Sequence, residues 1–335
     1  MIKTRMRRKT QPAGKALWLG LVAALLLVGC VSSDDVVRAR QDYALAERCS
    51  QQGERAACEA ACEVDVRAGC YLLGRAYADG DGVEPDVIRA LELFEQACDL
   101  GDATACAEVG VMIERGIGTT PDASRAIEYY RRGCDGKAGS ACSNLGLAYQ
   151  LGRVVNKDLL RASRLYQQAC VGGDTAGCTN LGFVMAHGIG VSRNDRRARE
   201  LYEQACLGGH LEGCGNLGRL LVEGRGGVRD ARRGASMFRK ACDGGLQAAC
   251  ANLGILYETG VGVLTSAERA RKLYGQACDF GYADACIGLG GLYEKGVGVT
   301  ADPDQAKRFY RRACKAKNVI GCKRLERVEA ALKQP

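Results

Sequence analysis

The chain has 335 residues, 19 of them cysteines, and a formal net charge of +8. So many thiols argue against a reducing cytosol, because disulfides form and persist in oxidising compartments. The first 29 residues carry six Lys or Arg and no acid, which leaves about +2 for the rest of the chain and excludes a nucleic-acid partner.

Residues 1–29 have the organisation of a bacterial export signal. A basic segment precedes an apolar stretch of 14 residues, 16–29, which is short for a membrane span and typical of a signal peptide. The stretch ends in "LLVGC", which resembles the lipobox of bacterial lipoproteins and would make Cys30 the lipidated first residue of the mature chain. The alternatives are a soluble export signal cut beyond Cys30 and an uncleaved anchor. We expect a lipoprotein of the bacterial cell envelope, at the periplasmic face or the outer membrane. In a Gram-negative host, Val31-Ser32, without the aspartate of inner-membrane retention, favours the outer membrane.

Cysteines recur on a lattice with a period of 36 residues. Eight pairs, each separated by eight positions, follow one another without an insertion, and only Cys30, Cys49 and Cys58 lie outside the lattice. A period of this length is that of one helix–turn–helix unit in a repeat protein. The pairs are Cys62/Cys70, Cys98/Cys106, Cys134/Cys142, Cys170/Cys178, Cys206/Cys214, Cys242/Cys250, Cys278/Cys286 and Cys314/Cys322.

Each unit is predicted to contain two helices. The first has an apolar residue and a glycine shortly after its cysteine, as in Leu253-Gly254. A helical glycine costs up to about 1 kcal/mol, so its repetition predicts a close approach of a neighbouring backbone or ring. A column of N-cap residues then starts the second helix. This helix carries small and aromatic residues at i and i+4 on one face, and we interpret that face as part of the core. The N-cap column is Asp86, Asp122, Asp158, Asn194, Asp230, Ser266 and Asp302, and the aromatic column is Phe94, Tyr130, Tyr166, Tyr202, Phe238, Tyr274 and Tyr310.

These helical hairpins predict an all-α fold built as an α-solenoid. No single hairpin buries its apolar face alone, so neighbouring repeats must stack on one another. We expect a signal peptide at 1–29, an N-terminal linker and helical cap at 30–61, seven repeats at 62–313 and a charged capping helix at 314–335. We expect the protein to be a monomer.

Two disulfide pairing schemes place the lattice sulfurs at one end of the stack. A cysteine pairs either with the one eight residues later or with the one 28 residues away, as Cys106 with Cys134. The second scheme leaves Cys322 without a partner. The first uses all lattice cysteines, adds Cys49–Cys58 and leaves Cys30 for the lipid, so we favour it.

The line "C-x7-C-x-N-L-G-x-x-Y-x-x-G-x-G-V…D…A-x-x-x-Y-x-x-A-C" resembles the Sel1-like repeat in its cysteine-rich bacterial branch, over residues 62–335. The resemblance implies a right-handed α/α superhelix, similar to that of tetratricopeptide repeats, with one disulfide per repeat and a role in protein–protein interaction. Members of this branch are also described as penicillin-binding proteins or slow β-lactamases. The chain departs from the repeat pattern at "QLGRVVNKD", where one loop glycine is missing, and at Gly288, where its neighbours have asparagine.

Motifs of hydrolytic chemistry are missing from the sequence. Ser236 is followed by "MFR" and Ser266 by "AER", so neither forms the Ser-x-x-Lys of a serine β-lactamase or penicillin-binding enzyme. His187 and His210 are too few for a metallo-β-lactamase, and C-x7-C is not a zinc spacing. We expect no catalytic residue, no metal and no cofactor. A weak penicillin-binding, β-lactamase-type or cell-wall-related hydrolase is the rival hypothesis, and a purely structural envelope protein is the third.

An asparagine stands two residues after the first-helix cysteine in four successive repeats. In the similar stretch of tetratricopeptide repeats the asparagine faces the concave groove, and a ladder of carboxamides could hold an extended peptide. The alternative is that each asparagine bonds a loop carbonyl of a neighbouring repeat. The position three residues after each asparagine varies between repeats, and its Phe183 and Arg219 are residue types enriched at interface hot spots. The alternative is that this position is simply semi-buried. We expect a protein or peptide partner on the concave surface, with the membrane contacted through the lipid anchor only. The asparagines are Asn144, Asn180, Asn216 and Asn252.

Overall fold

The computed structural model describes residues 41, 44, 48, 49 and 55–332. Residues 55–332 form sixteen α-helices and no strand. None of these helices is long and apolar enough to cross a bilayer. The expected signal peptide at 1–29 and the expected lipidation site Cys30 lie outside the described residues.

The chain divides into two compact units, Met1–Asp122 and Ala123–Pro335. The first unit contains α1 (Arg55–Glu63), α2 (Arg67–Asp79), α3 (Val87–Asp99) and α4 (Ala103–Arg115). The second contains α5 (Ala123–Asp135), α6 (Gly139–Leu151), α7 (Leu159–Val171), α8 (Thr175–His187), α9 (Asp195–Leu207), α10 (Leu211–Glu223), α11 (Ala231–Asp243), α12 (Gln247–Thr259), α13 (Ala267–Asp279), α14 (Ala283–Lys295), α15 (Pro303–Lys315) and α16 (Val319–Ala331). The even-numbered helices are the first helices of the repeats, and the odd-numbered helices from α3 onward are the second helices.

The helices of the second unit pack in chain order. Each first helix lies against the second helix of its own repeat and against the second helix before it, as α12 lies against α13 and α11. First helices also approach the first helices of adjacent repeats, as α8 approaches α6 and α10. This stacking of helix pairs confirms the predicted all-α solenoid class.

A glycine inside six of the first helices makes room for the aromatic ring of the second helix. A Cβ on Gly254 would lie 2.7 Å from Cε1 of Tyr274, and one on Gly182 would lie 2.8 Å from Cε1 of Tyr202. The rings are fully buried, with Tyr202 0% and Tyr274 2% exposed. The close approach predicted from the repeated glycines is therefore observed, and the ring that fills the space comes from the same repeat.

The N-cap column begins the second helices as the sequence predicts. Asp86 accepts from the backbone N–H groups of Ile88 and Arg89, and one backbone N–H bond each is accepted by Asp158, Asn194, Asp230, Ser266 and Asp302. Side-chain oxygens satisfy the exposed amides of a first helical turn in this way. A second set of caps, not predicted, begins three of the first helices: Asp102, Asp174 and Asn318.

Disulfides join the end of each odd-numbered helix to the beginning of the even-numbered helix that follows it. The paired lattice cysteines are eight residues apart, with Cα–Cα distances of 4.5–4.8 Å. The disulfide-bonded repeats expected from the sequence are thus present. The bridges of the structure are Cys49–Cys58, Cys62–Cys70, Cys98–Cys106, Cys134–Cys142, Cys170–Cys178, Cys206–Cys214, Cys242–Cys250, Cys278–Cys286 and Cys314–Cys322.

One inter-helix loop departs from the others at the glycine that the sequence lacks. Val154 has φ +63°, while Gly190 and Gly262 hold φ +69° and +73° at the equivalent position. A Cβ on either glycine would lie within 2.4 Å of the preceding repeat's second helix. The left-handed conformation is unfavourable for a β-branched residue, so this loop keeps the repeat's backbone path at a cost in strain.

Candidate functional site

The predicted asparagine ladder lies on four successive first helices of the second unit. Asn144, Asn180, Asn216 and Asn252 are half-buried on α6, α8, α10 and α12. The carboxamides of Asn144, Asn180 and Asn252 make no hydrogen bond with any described residue, whereas Asn216 Oδ1 accepts from Arg219 Nη2 at 3.3 Å. Bonds from these asparagines to a neighbouring repeat's loop carbonyl are not observed within residues 55–332. The ladder therefore offers polar groups that the described fold does not use.

Apolar side chains accompany the ladder three residues further along the same helices. Leu147, Phe183 and Ile255 are 41%, 37% and 47% exposed. The Phe183 ring packs against the His187 imidazole, with 4.3 Å between the ring centroids, and His187 Nδ1 lies 2.8 Å from the Phe183 carbonyl oxygen. Large apolar side chains in a row beside unused amide groups are typical of a surface that meets a partner.

A depression between α10 and α12 brings three of the predicted residues together. Asn216, Arg219 and Asn252 line it with Glu212 and Leu246, around a volume of about 180 Å³. Among the described residues no carboxylate lies within ion-pair distance of Arg219. The acid that lines the depression is Glu212, and its Oε2 lies 3.6 Å from His210 Nε2 instead. The depression therefore combines a guanidinium, two carboxamides and an apolar wall.

Other predicted site residues lie outside this depression. Asn180 and Phe183 stand on α8, one repeat nearer the N-terminus than α10, and Asn144 stands on α6, two repeats nearer. Sequence reasoning did not identify Glu212 and Leu246, because their columns hold unrelated residue types in the other repeats. Only the packing of α10 against α12 places these two residues beside the ladder.

A buried phenol lies next to the same first helices. The hydroxyl of Tyr202 is inaccessible to solvent and has no hydrogen-bond partner among the described residues. Burial raises the pKa of Tyr202 to about 12, although the charges of Arg219 and Arg225 act in the opposite direction. The phenol is thus kept protonated, and it contributes no charge to the surface.

Of the two serines considered for hydrolytic chemistry, one caps a helix and the other lies on the surface. Ser266 caps α13 by accepting from the backbone N–H of Arg269 at 3.3 Å, and Ser236 lies exposed on α11. Within the described part of the chain, no group of three or more His, Cys, Asp or Glu side chains is placed to hold a metal ion. The arrangement supports binding through amide, guanidinium and apolar groups.

Stacked helical hairpins with a disulfide at each turn between repeats define a disulfide-bonded α-solenoid repeat protein. The family model described as Sel1 repeat matches residues 67–102, 103–137, 139–174, 175–210, 211–246, 247–282 and 283–318. The chain belongs to the Sel1 repeat family. No curated protein matches the chain significantly.

Two solved structures share this fold, and a third is similar to part of the chain. A protective antigen of uropathogenic Escherichia coli, c5321, which displays an SLR fold, is 26% identical with a TM-score of 0.67 over 81% of this chain, which spans 58% of that protein's length. A Sel1 repeat protein from Oxalobacter formigenes is 22% identical with a TM-score of 0.65, covering 73% of this chain and 96% of that one. Cysteine-rich protein B of Helicobacter pylori is 30% identical over 41% of this chain and 99% of its own, with a TM-score of 0.34.

Proposed function

We propose that the protein is a lipid-anchored extracytoplasmic scaffold that binds a protein or an extended peptide along its first helices. Sel1 repeat proteins typically mediate protein–protein interaction, and the finer statements rest on this chain's own residues. The observation that carries the proposal is the asparagine ladder, three of whose four carboxamides have no bond within the described residues, beside exposed apolar side chains. Each carboxamide supplies two donors and an acceptor, which suits the backbone of an extended chain.

The packing of the second unit supports a concave surface on the side of the first helices. Adjacent first helices, such as α12 and α14, approach each other more closely than adjacent second helices do. In a stack of helix pairs the more closely spaced row lies on the inner side of the curve. The partner would therefore meet Asn180, Phe183, Asn216 and Arg219 from the concave side.

The disulfides support a site of action outside the cytoplasm. Nine bridges in one chain indicate an extracytoplasmic protein, because reducing systems keep cytosolic thiols free. The anchor is the proposed lipid on Cys30, and the outer membrane is the proposed location. Both follow from the sequence of the export signal.

A differential crosslinking experiment tests the binding surface. The exported protein is crosslinked in envelope extracts, purified and compared with a variant carrying Asn180→Ala and Asn216→Ala. The matched control is Gln167→Ala with Gln204→Ala, which removes two exposed carboxamides from the second helices α7 and α9. We expect a specific crosslinked partner that the asparagine variant loses by about tenfold or more and the control retains, because the few residues that cost more than about 1 kcal/mol on truncation cluster near the centre of an interface.

Two outcomes would contradict the proposal. One is a crosslinking pattern that the asparagine variant and the control share unchanged. The other is turnover of a chromogenic cephalosporin by the purified protein, which would support the hydrolase instead. A recovered partner is then retested as a purified peptide, with binding measured by calorimetry.

A further inference from the structure

Two arginines from adjacent repeats converge on one tyrosine of α12. Arg239 of α11 donates to the Tyr257 hydroxyl, with 3.0 Å between Nη2 and Oη. Arg269 of α13 donates to the same oxygen at 3.3 Å from Nη1, and its guanidinium lies 5.3 Å from the centre of the ring. Tyr257 is 5% exposed, while both arginines lie on the surface. The cluster is therefore an accessible pair of like charges held around a buried phenol.

No carboxylate balances these two charges. Neither Arg239 nor Arg269 forms an ion pair with an acid in residues 55–332. Some of the other arginines in the same column as Arg269 do form them, among them Arg197 with Glu200 at 2.8 Å, and Arg233 with Glu203. The cap at the start of α13 is neutral as well, because Ser266 stands where four other second helices have aspartate caps. Two guanidiniums close together without a counter-ion favour an anion between them.

The hydroxyl proton of Tyr257 also lacks an acceptor. The oxygen accepts from both guanidiniums, and no described residue accepts from the hydroxyl in turn. Burial of Tyr257 tends to raise its pKa, but the hydrogen bonds and charges of Arg239 and Arg269 outweigh it, so the pKa lies below its ordinary value. The two guanidiniums and the phenol hydroxyl are all hydrogen-bond donors, and an oxyanion is a ligand that can accept from all three.

We propose that Arg239, Arg269 and Tyr257 form a binding site for a tetrahedral oxyanion of the phosphate class. The guanidiniums supply charge-assisted N–H donors, and the phenol supplies an O–H donor to the same ligand. The two arginines stand on the second helices α11 and α13, and none of the three residues belongs to the asparagine ladder. The site is independent of the proposed scaffold function, because it does not use Asn180, Asn216 or their partner.

A related arrangement three repeats earlier shows what distinguishes this site. Arg131, Tyr149 and Arg161 line one depression, and the Arg161 guanidinium lies 4.4 Å from the centre of the Tyr149 ring. Asp158 lines the same depression and caps α7. An acid is thus already present beside those arginines, whereas Ser266 leaves the Tyr257 site without one.

Titration with inorganic phosphate tests the proposal. The exported, oxidised protein is titrated while the ring signals of labelled tyrosines are followed by nuclear magnetic resonance, and its melting temperature is measured in parallel. We expect saturable shifts at Tyr257 and a melting temperature that rises with phosphate concentration. The Arg239→Gln, Arg269→Gln double variant should bind about tenfold more weakly or worse, and Tyr257→Phe about threefold more weakly.

The control has the same loss of charge at ion-paired arginines, Arg197→Gln with Arg233→Gln, and should bind as the wild type does. Equal phosphate binding by the wild type and the Arg239→Gln, Arg269→Gln variant would overturn the proposal, as would no response at millimolar phosphate. Vesicles of phosphatidylglycerol, compared with phosphatidylcholine, identify the source of the phosphate. Binding to anionic vesicles that the double variant loses assigns it to a lipid headgroup, and phosphate binding without vesicle binding assigns it to a soluble or polymeric phosphate.

Discussion

The Tyr274 hydroxyl donates a hydrogen bond to the Glu258 carboxylate, with 2.8 Å between Oη and Oε2. The relation between a second-helix ring and the residue sixteen positions earlier recurs in Tyr166–Gln150 at 2.7 Å and Tyr310–Glu294 at 2.6 Å. Where the earlier residue has no acceptor, as at Ala78 and Val222, the ring is Phe94 or Phe238. Tyr202 is the exception, because the residue sixteen positions earlier is Ala186 and its buried hydroxyl has no partner in the described part of the chain.

Removing the hydroxyl of Tyr202 should therefore stabilise the protein. An unsatisfied buried polar group costs about 1–3 kcal/mol, and a satisfied one contributes about 1 kcal/mol. We expect Tyr202→Phe to raise the free energy of unfolding by about 1 kcal/mol and the matched Tyr274→Phe to lower it by a similar amount. Urea unfolding followed by circular dichroism measures both. Destabilisation by Tyr202→Phe equal to that by Tyr274→Phe would show that the Tyr202 hydroxyl has a partner.

Two helical glycines of adjacent helices should respond to alanine in opposite directions. At Gly254 a Cβ would overlap the Tyr274 ring at 2.7 Å, whereas at Gly275 no atom lies within 4 Å. Overpacking costs about 1–3 kcal/mol, and the helix propensity of alanine gains about 0.5–1 kcal/mol over glycine. We expect Gly254→Ala to lower the melting temperature and Gly275→Ala to raise it. Differential scanning calorimetry checks the signs, and a rise for both variants would mean that the ring moves aside without cost.

Removal of one disulfide should loosen the structure locally. Closing a loop of this length contributes about 2–3 kcal/mol in the chain-entropy treatment, and a repeat array couples nearest neighbours. We expect Cys206→Ala with Cys214→Ala to reduce hydrogen-exchange protection in α9 and α10 and to leave α14 to α16 protected. Cys49→Ala with Cys58→Ala is the control and should leave α9 and α10 unchanged. Loss of protection along the whole second unit would indicate a single cooperative block.

The Asp195 carboxylate should make stability depend on acid pH. It accepts from Arg225 Nη2 at 2.5 Å and from Arg193 Nη2 at 2.6 Å, and these bonds lower its pKa to about 2. Because the folded pKa is below the unfolded value of about 3.9, the stabilisation is complete above that value and disappears as the pH falls toward 2.

The variant Asp195→Asn should accordingly lower the free energy of unfolding, measured with urea, by about 1 kcal/mol at pH 6 and by less at pH 3. The exposed acid of the Arg197–Glu200 pair provides the control, and Glu200→Gln should have little effect at either pH. A gap between wild type and Asp195→Asn that stays constant from pH 6 to pH 3 would contradict the assignment.

Most of the fold was predictable because its determinants are local and repeated. The N-cap column, the helical glycines and the cysteine spacing each act within one or two repeats, so that a residue type at a fixed position has the same physical meaning every time. The caps Asp102 and Asp174 were missed because their column also contains Ala138 and Leu246, which conceals the pattern.

The candidate sites were less predictable because they depend on contacts between repeats. The asparagines could be recognised from their repetition, but the partners around Arg219 could not. The convergence of Arg239 and Arg269 on Tyr257 joins residues 18 and 12 positions apart. It becomes visible only when α11, α12 and α13 are packed together.

The short span of the bridges determines what a protease could release from this molecule. A cut between the two cysteines of a bridge leaves the two pieces covalently joined. A cut in the connection between α12 and α13 lies outside every bridge, so only non-covalent packing would hold the two fragments together. Covalent continuity within the second unit is thus assured at alternate connections between helices, and at the others it rests on a single peptide strand.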